Sequence, residues 1–449
     1  MKLKNKKALV MGLGIHGGGE GVVRYLVNKG AMVTVTDLKT KDQLAPTLKR
    51  ISDLPVKYVL GKHREVDFKN TDFVVRNPDV PVNSLFLKVA RQHKKPILME
   101  INLFWEECSR FREKIIGVTG TKGKTTTTVL IQQALSSAGL RVVAGGNLGV
   151  SMLEIIPKID KDTWVVLELS SWQLEGLREQ QDSPHISLIT NIFPDHLNRY
   201  SSMEDYVAAK RLIFSSQNKN DYLILNQENS WTKKIQQESL GRVVLFSKKD
   251  VPKGWRSKIQ LPGKHNLTNI AAVLAVAKVL KLKKSSIKKG IVDFTGLSHR
   301  LEFVDSVAGV KFYNDSAATN PTATQMAIKS FSQPLVLIMG GADKNLDFVT
   351  LIKTAQKQKN LKAIILLAGS ATDKIKAEIK KQALKTTIFG PFDKLLPAVT
   401  MSYQVAKADD IVLLSPAAAS FNMFKNEFDR GNQFKKIIND LAQKKQRSQ

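Results

Sequence analysis

The stretch Gly117-Val118-Thr119-Gly120-Thr121-Lys122-Gly123-Lys124-Thr125 decides the central part of the fold. It follows the apolar run 115–118, which is typical of a buried strand, and it precedes a segment with helical character. Glycines at such a turn let main-chain N–H groups wrap phosphate oxygens, while a lysine adds a point charge and a threonine hydroxyl binds Mg²⁺. The spacing is a variant of the Walker A loop, because Val118 stands where the strict pattern has glycine. We therefore predict a nucleotide phosphate site, with a purely structural turn as the alternative.

A second glycine-rich loop, Gly12-Leu13-Gly14-Ile15-His16-Gly17, lies near the N-terminus. It follows the strand-like run 8–11, and Asp37 ends the next such run. This is the dinucleotide fingerprint, in which glycines admit a diphosphate and the acidic residue meets a ribose. Alone it would indicate a nicotinamide dehydrogenase, but that function leaves the other phosphate loop unexplained. An ordinary strand-end role for Asp37 stays open.

Short apolar runs alternate with helix-like segments along the whole chain. This alternation is typical of parallel sheets covered on both faces, with working loops at the carboxyl ends of the strands. The pattern restarts near Ile115 and near 297–300. We predict an α/β protein with a Rossmann-like domain at 1–106, a P-loop ATPase-like parallel-sheet domain at 107–297, and a Rossmann-like domain at 298–449. The strand candidates are 8–11, 32–36, 73–75, 115–118, 142–143, 164–169, 186–190, 222–225, 335–339, 363–367 and 411–414.

Length and composition limit the number of domains, the partners and the cellular location that we expect. A chain of 449 residues is too long for a single hydrophobic core, so we expect more than one domain. Its 69 lysines and arginines against 40 acidic residues give a net charge of +29. These basic residues are spread along the chain without a nucleic-acid module, so we expect a solvated surface that attracts anionic substrates and no nucleic-acid partner. With a single cysteine, no signal peptide and no apolar run of transmembrane length, we expect a cytoplasmic protein without membrane insertion.

Further motifs follow the phosphate loop in order, and together they resemble the Mur ligase family. The loop itself is similar to that family's Thr-Gly-Thr-(Asn/Lys)-Gly-Lys-(Ser/Thr) signature. Any one motif could arise by chance, whereas their order and spacing along essentially the whole chain are specific. The other matching segments are Gly145-Gly146-Asn147-Leu148-Gly149, Glu168-Leu169-Ser170-Ser171-Trp172-Gln173-Leu174-Glu175, Asn191-Ile192-Phe193-Pro194-Asp195-His196-Leu197-Asn198-Arg199, Lys210, His265-Asn266-Leu267-Thr268-Asn269, Gly296-Leu297-Ser298-His299-Arg300 and Asn314-Asp315-Ser316.

The resemblance implies an ATP-dependent ligase that forms an amide bond through an acyl phosphate, in the synthesis of peptidoglycan precursors. The first glycine loop and the stretches 314–320 and 414–426 favour UDP-N-acetylmuramoyl-L-alanine and D-glutamate as the two substrates. The same reaction with another acceptor, such as L-glutamate, stays open, because Ala317 and Glu427 replace a lysine and an aromatic residue found in some D-glutamate ligases. A nucleotide-responsive binding protein is the non-catalytic alternative.

The resemblance also assigns residues to the reaction and to ATP. The implied catalytic residues are Lys124, Glu168, His196, Lys210 and Asn147. Two Mg²⁺ ions are implied, with Thr125, Glu168, His196 and a carbamylated Lys210 as ligands, since an ammonium cannot bind metal whereas a carbamate presents carboxylate-like oxygens. The implied ATP-binding residues are Gly120, Thr121, Lys122, Gly123, Lys124, Thr125, Thr126, Asn269, His299, Arg300 and Asp315.

The two remaining substrates have implied residues of their own. For the UDP-substrate these are Gly14, Ile15, His16, Asp37, Leu38, Lys39, Asn77, Pro78, Asn147, Ser170, Gln173 and Arg199. For the amino acid they are Thr319, Lys344, Ser420 and Phe421. Taken without the resemblance, Lys210 would be a solvated helix lysine and His196 a polar residue at a strand end. A monomer is expected.

Overall fold

A computed structural model describes residues 2–15, 17–178, 180–196, 199–263, 265–421 and 423–447. In these residues the strands form three sheets, of five, six and six strands. The chain divides into two compact units. The first unit is Met1–Arg256 with Leu267–Ile291 and holds the first two sheets, and the second is Ser257–Asn266 with Val292–Gln449 and holds the third.

The first sheet is parallel and has the order β3-β2-β1-β4-β5. Its order reverses beside β1, so the loop after β1 lies at a switch point, where open α/β sheets bind ligands. The strands are β1 (Lys7–Met11), β2 (Met32–Asp37), β3 (Val56–Leu60), β4 (Phe73–Arg76) and β5 (Ile97–Leu98). The helices are α1 (Gly18–Asn28), α2 (Lys41–Arg50), α3 (Glu65–Lys69), α4 (Leu85–Gln92) and α5 (Glu100–Cys108).

The second sheet is also parallel, in the order β11-β10-β9-β6-β8-β7. Its central strand, β6, is buried at every residue, as the apolar run predicted. The strands are β6 (Ile115–Thr119), β7 (Arg141–Gly146), β8 (Thr163–Glu168), β9 (Ile186–Ile189), β10 (Tyr222–Asn226) and β11 (Arg242–Phe246). The helices that follow α5 are α6 (Lys124–Ser137), α7 (Ser171–Leu174), α8 (Met203–Arg211), α9 (Ser230–Ile235), α10 (Lys253–Arg256), α11 (His265–Val279) and α12 (Lys284–Val292).

The third sheet is mixed, in the order β12-β13-β17-β14-β15-β16. The prediction of parallel pairing fails for β12, which runs antiparallel to β13. A two-residue turn joins them, and its residues Ala308 and Gly309 have φ of 48° and 83°, as a tight hairpin requires. The strands are β12 (Glu302–Val307), β13 (Val310–Asn314), β14 (Leu335–Gly340), β15 (Leu361–Leu367), β16 (Thr387–Phe392) and β17 (Ile411–Leu414). The helices are α13 (Pro321–Ile328), α14 (Val349–Lys357), α15 (Ser370–Lys381), α16 (Leu395–Val405) and α17 (Glu427–Arg447).

One hydrophobic core joins the first two sheets. Phe104 and Trp105 of α5 are fully buried in the same cluster as Val165 of β8 and Tyr206 of α8. The two sheets are therefore parts of one compact unit, even though each has its own strand order. None of the described helices is both long and apolar enough to cross a membrane.

Candidate functional site

The phosphate loop lies between the carboxyl end of β6 and the first turn of α6, which contains Thr125 and Thr126. Gly120 has φ of 145°, and a Cβ there would lie 2.0 Å from the Thr190 hydroxyl oxygen. Gly123 has φ of 81°, and a Cβ there would lie 2.5 Å from the side-chain oxygen of Asn269. Both positions therefore require glycine, for backbone conformation and for space.

Residues after β9 hold this loop in place. The Thr121 amide donates to the Asn191 carbonyl at 2.9 Å, and the Lys122 amide donates to the Asn191 side chain at 2.9 Å. The Thr190 hydroxyl and the Asn191 side-chain amide both donate to the Lys122 carbonyl, at 2.7 and 2.9 Å. Four hydrogen bonds thus fix the loop before any phosphate binds.

Two lysines donate hydrogen bonds to this loop. Lys124 Nζ donates to the Thr121 carbonyl at 3.2 Å, and Lys210 Nζ donates to the Gly120 carbonyl at 3.0 Å. Lys210 is 1 % exposed, and burial, followed by the charge of Lys124, holds its pKa well below the usual value. The structure therefore brings together a loop that suits phosphate and a buried amine that resists protonation.

Tyr206 lies between the phosphate loop, Lys210 and His196, although the sequence analysis did not single it out. Its hydroxyl lies 3.1 Å from the Thr121 hydroxyl, and its ring lies 4.5 Å below Lys210 Nζ. The His196 ring is 6.1 Å away. A signal was available, since Tyr206 and Lys210 are four residues apart on α8 and such residues share one helix face.

Glu168 and Asn147 meet at the ends of the neighbouring strands β8 and β7. The Asn147 side-chain amide donates to Glu168 Oε1 at 2.8 Å, and its main-chain amide donates to the Glu168 carbonyl at 2.9 Å. Glu168 is 1 % exposed. Ser170 and Gln173 form a reciprocal cap at the start of α7, which fixes the chain directly after Glu168.

His196 follows β9 and adopts φ of 55°, which is rare for a residue with a side chain. Its ring packs edge-on against Trp172 at 5.2 Å, and the Arg199 guanidinium lies 4.4 Å from the same indole. Desolvation lowers the pKa of His196, and nearby lysines including Lys210 and Lys124 lower it further, against the opposing effect of Asp195. The imidazole is thereby kept in the neutral form that ligates metals.

Glu175 is a second residue beside the site to which the sequence analysis assigned no role. Its carboxylate accepts from Arg76 of β4 at 3.1 Å and from Arg199 at 3.2 Å. The Tyr200 hydroxyl contacts it at 3.4 Å. Glu175 thus links the end of a first-sheet strand to the segment that carries His196.

The first glycine loop is organised by Asp37. One oxygen of its carboxylate accepts from the amides of Leu13 and Gly14, at 2.9 and 3.1 Å, and the other accepts from the Lys39 amide at 2.8 Å. Asp37 therefore has the strand-end role that the sequence analysis left open. It fixes both loops that were predicted to hold the UDP-substrate.

The other residues predicted for the UDP-substrate flank this loop. Asn77 donates to the Gly12 carbonyl at 3.2 Å and caps the turn that contains Pro78. Ile15 and Leu38 are 47 % and 66 % exposed, so apolar surface stands open beside the loop. His16 was predicted to line the same site, and it lies outside the described residues.

In the second unit, Asp315 directly follows β13. Its carboxylate accepts from the Ser415 hydroxyl at 2.7 Å and from the Leu301 amide at 3.2 Å, and burial raises its pKa to about 7. His299 adopts φ of 63°, and its Nδ1 lies 3.0 Å from the Asn314 side-chain amide. His299, Arg300 and Asp315 therefore share one corner of this unit.

The residues predicted for the amino acid follow the three neighbouring strands β13, β17 and β14. Ala342 and Ala419 exchange two main-chain hydrogen bonds of 3.0 Å, which brings the Lys344 and Ser420 loops side by side. The Ala417 amide donates to the Ala318 carbonyl at 2.9 Å and adds the Thr319 loop. Ser420 is 1 % exposed, and its hydroxyl has no hydrogen-bond partner among the described residues. Phe421, by contrast, is 67 % exposed.

Arg430 supports these loops from beneath. It is fully buried, and it donates to the hydroxyl and carbonyl of Ser316 at 2.9 Å each and to the Ala418 carbonyl at 3.3 Å. Burial lowers its pKa to about 10. Only the pattern 427–431, an acidic residue followed by Arg-Gly, was visible in the sequence, and it gave no reason to expect a buried arginine.

The fold and the phosphate loop define the class of the protein, and comparison with known proteins agrees. Residues 6–99 match the MurD-like N-terminal domain of Mur ligases, residues 118–259 the Mur ligase middle domain, and residues 299–418 the Mur ligase glutamate ligase domain. The chain belongs to the Mur ligase family.

Proteins similar in sequence point to one group of ligases within this family. The chain is 42 % identical to the UDP-N-acetylmuramoylalanine--D-glutamate ligase of Roseiflexus sp. (strain RS-1), over 98 % of this chain and 100 % of the relative. It is 38 % identical to the enzyme of the same name from Borreliella burgdorferi (strain ZS7), over 98 % and 99 %. In fold it is similar to the UDP-N-acetylmuramate-alanine ligase MurC from Thermotoga maritima, with a TM-score of 0.58, 18 % identity, and coverage of 97 % of this chain and 100 % of MurC.

Proposed function

We propose that the chain uses ATP to join the L-alanine carboxylate of UDP-N-acetylmuramoyl-L-alanine to the amine of D-glutamate, in peptidoglycan precursor synthesis. The observation that carries this proposal is a juxtaposition in the first unit. The braced phosphate loop shares one sheet edge with the Asn147 and Glu168 pair and with the buried amine of Lys210. This edge suits both ATP, which donates the phosphoryl group, and the L-alanine carboxylate of the UDP-substrate, which receives it.

The chemical difficulty is that a carboxylate resists attack by an amine. A carboxylate oxygen first attacks the γ-phosphorus of ATP, the bond to ADP breaks, and an acyl phosphate forms. The glutamate amine then attacks the acyl carbon, phosphate leaves with the C–O bond electrons, and the amine loses a proton. Both steps move negative charge, so positioned cations and main-chain donors supply most of the stabilisation.

On the ATP side, Lys124 faces the β- and γ-phosphates, and the amides between Gly120 and Thr126 cradle them. Lys122 belongs to the same loop, and Asn269 lies beside it. His299, Arg300 and Asp315 hold the nucleoside. The loop needs little reorganisation to bind, because Thr190 and Asn191 already fix it.

The donor set at this edge fits two Mg²⁺ ions. Thr125, Glu168 and His196 would supply hydroxyl, carboxylate and imidazole ligands, and Lys210 would supply carbamate oxygens after reaction of its neutral amine with CO₂. Lys210 lies buried beside Lys124, whose positive charge disfavours protonation of the Lys210 amine. The same positive charge attracts an anionic carbamate, which favours the modified form of Lys210. When bound, the ions screen the approach of an anionic carboxylate to ATP.

The UDP-substrate occupies the first glycine loop and the edge beyond it. The amides of the Gly14 and Ile15 turn meet the diphosphate, while Leu38, Lys39, Asn77 and Pro78 flank the nucleoside. Asp37 holds the two loops together, because its carboxylate accepts from the amides of Leu13 and Lys39. The residues that guide the alanyl carboxylate toward the phosphate loop are Asn147, Ser170, Gln173 and Arg199.

D-glutamate binds in the second unit, where three loops converge. The hydroxyl of Ser420, which has no hydrogen-bond partner among the described residues, and the exposed ammonium of Lys344 suit its carboxylates. Thr319 and Phe421 lie at the sides. Ser316 donates to the Glu427 carbonyl at 2.7 Å, so Ala317 and Glu427 belong to neighbouring stretches. These two departures from other D-glutamate ligases therefore bear on the same part of the acceptor site, and L-glutamate is the second candidate acceptor.

We also propose the setting of this activity. The chain works in the cytoplasm as a monomer, and its three sheets correspond to a UDP-substrate domain at 1–106, an ATP domain at 107–297 and an amino-acid domain at 298–449.

Phosphate release tests this function directly. The chain is given ATP, Mg²⁺ and UDP-N-acetylmuramoyl-L-alanine with D-glutamate, L-glutamate or other amino acids in turn. We expect release with D-glutamate alone, together with a UDP-muramoyl dipeptide by mass spectrometry, and no release from Lys124→Ala. Phosphate release with a different amino acid would show that this amino acid, and not D-glutamate, is the substrate that supplies the amine. Silence with every acceptor, from folded protein, would favour a nucleotide-responsive binding protein.

A further inference from the structure

A cleft of about 760 Å³ lies beside β5 in the first unit. None of the residues predicted to bind ATP, the UDP-substrate or the amino acid lines it. β5 ends the order of the first sheet and, within the described residues, pairs with β4 alone. The other edge of β5 therefore presents main-chain groups that a ligand can meet.

The charged side chains around this cleft are mostly basic. Arg91, Lys95 and Arg178 line it, and none of them pairs with a carboxylate of any described residue. Glu175 also lines it, but its carboxylate is held by the buried guanidinium group of Arg76 and the half-buried one of Arg199, at 3.1 and 3.2 Å. Glu106 is the other carboxylate at the rim. The balance of available charge is positive and attracts an anion.

The floor of the cleft is apolar. Ile97 and Leu98 of β5 are half-buried, and Leu103 of α5 is buried. Small-molecule sites combine such apolar walls with a few convergent polar groups, in volumes of roughly 300 to 1,000 Å³. The cleft has both the volume and the composition of such a site.

We propose that this cleft is a second ligand site, which binds a small organic anion. A carboxylate, sulfonate or phosphate of the ligand meets Lys95 and Arg178, and an apolar body lies against Leu98 and Leu103. The site does not depend on the ligase reaction, because no residue of that reaction forms part of it.

The test uses 8-anilinonaphthalene-1-sulfonate as probe, because it joins one sulfonate to an apolar aromatic body. We expect one saturable site on the full chain by fluorescence titration, which persists with saturating ATP, UDP-substrate and D-glutamate. Hydrogen exchange should slow in segments 95–106 and 175–180 when the probe is bound. Displacement by the substrates, or protection elsewhere in place of these segments, would overturn the proposal.

Charge-reversal variants test the assigned contacts. Lys95→Glu and Arg178→Glu should each weaken probe binding by at least about tenfold, since a desolvated anion then loses one cation and meets a carboxylate. Lys88→Glu is the matched control, because Lys88 is an exposed lysine of α4 that does not line the cleft. If Arg178→Glu does not fold, as judged by thermal unfolding, Arg178→Gln takes its place as the test variant. Equal weakening in Lys88→Glu, or unchanged binding in the cleft variants, would contradict the proposed site.

Discussion

At Lys210 a side chain that usually lies in water is 1 % exposed and donates to a main-chain carbonyl beside another lysine. We expect Lys210→Ala to reduce turnover about 100-fold or more, because the site loses a preorganised charged group. Acetate or a similar short carboxylate should restore part of the activity by supplying the missing oxygens. Initial rates of ATP-dependent phosphate release, with and without acetate, measure both effects.

The control for this variant is the next residue of α8. The Arg211 guanidinium pairs with Glu238 at 2.7 Å and is 36 % exposed, so Arg211→Ala should retain nearly normal turnover. Full activity of Lys210→Ala, or an equal loss in Arg211→Ala, would remove the carbamate proposal.

At the scale of elements, α1 packs closely against the turn that follows β7. A Cβ at Gly21 would lie 2.2 Å from the Cβ and the hydroxyl of Ser151, and that hydroxyl hydrogen-bonds to the buried Glu100. Gly21→Ala should therefore lower the free energy of unfolding by about 1 to 3 kcal/mol through overpacking. Denaturant titration measures the change.

The matched control is Gly254→Ala in α10, where a Cβ meets no atom within 4 Å. This change should leave stability the same or raise it slightly, because alanine favours helix. A destabilisation of Gly254→Ala as large as that of Gly21→Ala would show that the close approach to Ser151 does not limit this position.

The sequence predicted those elements that are both buried and apolar. Runs such as 115–118 and 411–414 became β6 and β17 within one residue, because strands covered on both faces consist of apolar residues throughout. The hairpin β12–β13 was missed, since β12 is largely half-buried and carries polar residues between its apolar ones. A rule based on continuous apolar runs cannot find such a strand.

Some residues of the candidate site could be predicted from the sequence and others could not. Gly120, Gly123 and Lys124 could be predicted because a phosphate loop is local in sequence. The roles of Glu175 and Arg430 could not, because each depends on partners about 24 to 114 residues away that only the fold brings together. Burial of a charged side chain is a tertiary property, and its sequence signal is weak.

For the whole molecule, stability should depend on pH through two buried carboxyl groups. Burial raises the pKa of Glu100 in the first unit and of Asp315 in the second to about 7. Unfolded carboxyls titrate near 4, so the folded state binds these protons more tightly. Their stabilisation is fully present below about pH 4 and is lost as the pH rises to 7.

We therefore expect a lower thermal midpoint at pH 8 than at pH 5.5. Glu100→Gln should show a smaller fall between these values, because it cannot lose a proton. Scanning calorimetry of both proteins measures the difference. An identical pH dependence in the variant would mean that Glu100 does not titrate in this range.

The central claim is that this chain activates a carboxylate by phosphorylation, and isotope transfer tests it most directly. UDP-N-acetylmuramoyl-L-alanine is labelled with ¹⁸O in its alanyl carboxylate and is converted with ATP and D-glutamate. Because the acyl phosphate breaks at its C–O bond, we predict one ¹⁸O in each released phosphate, visible by ³¹P NMR or mass spectrometry. Released phosphate without ¹⁸O, alongside a formed dipeptide, would contradict the account.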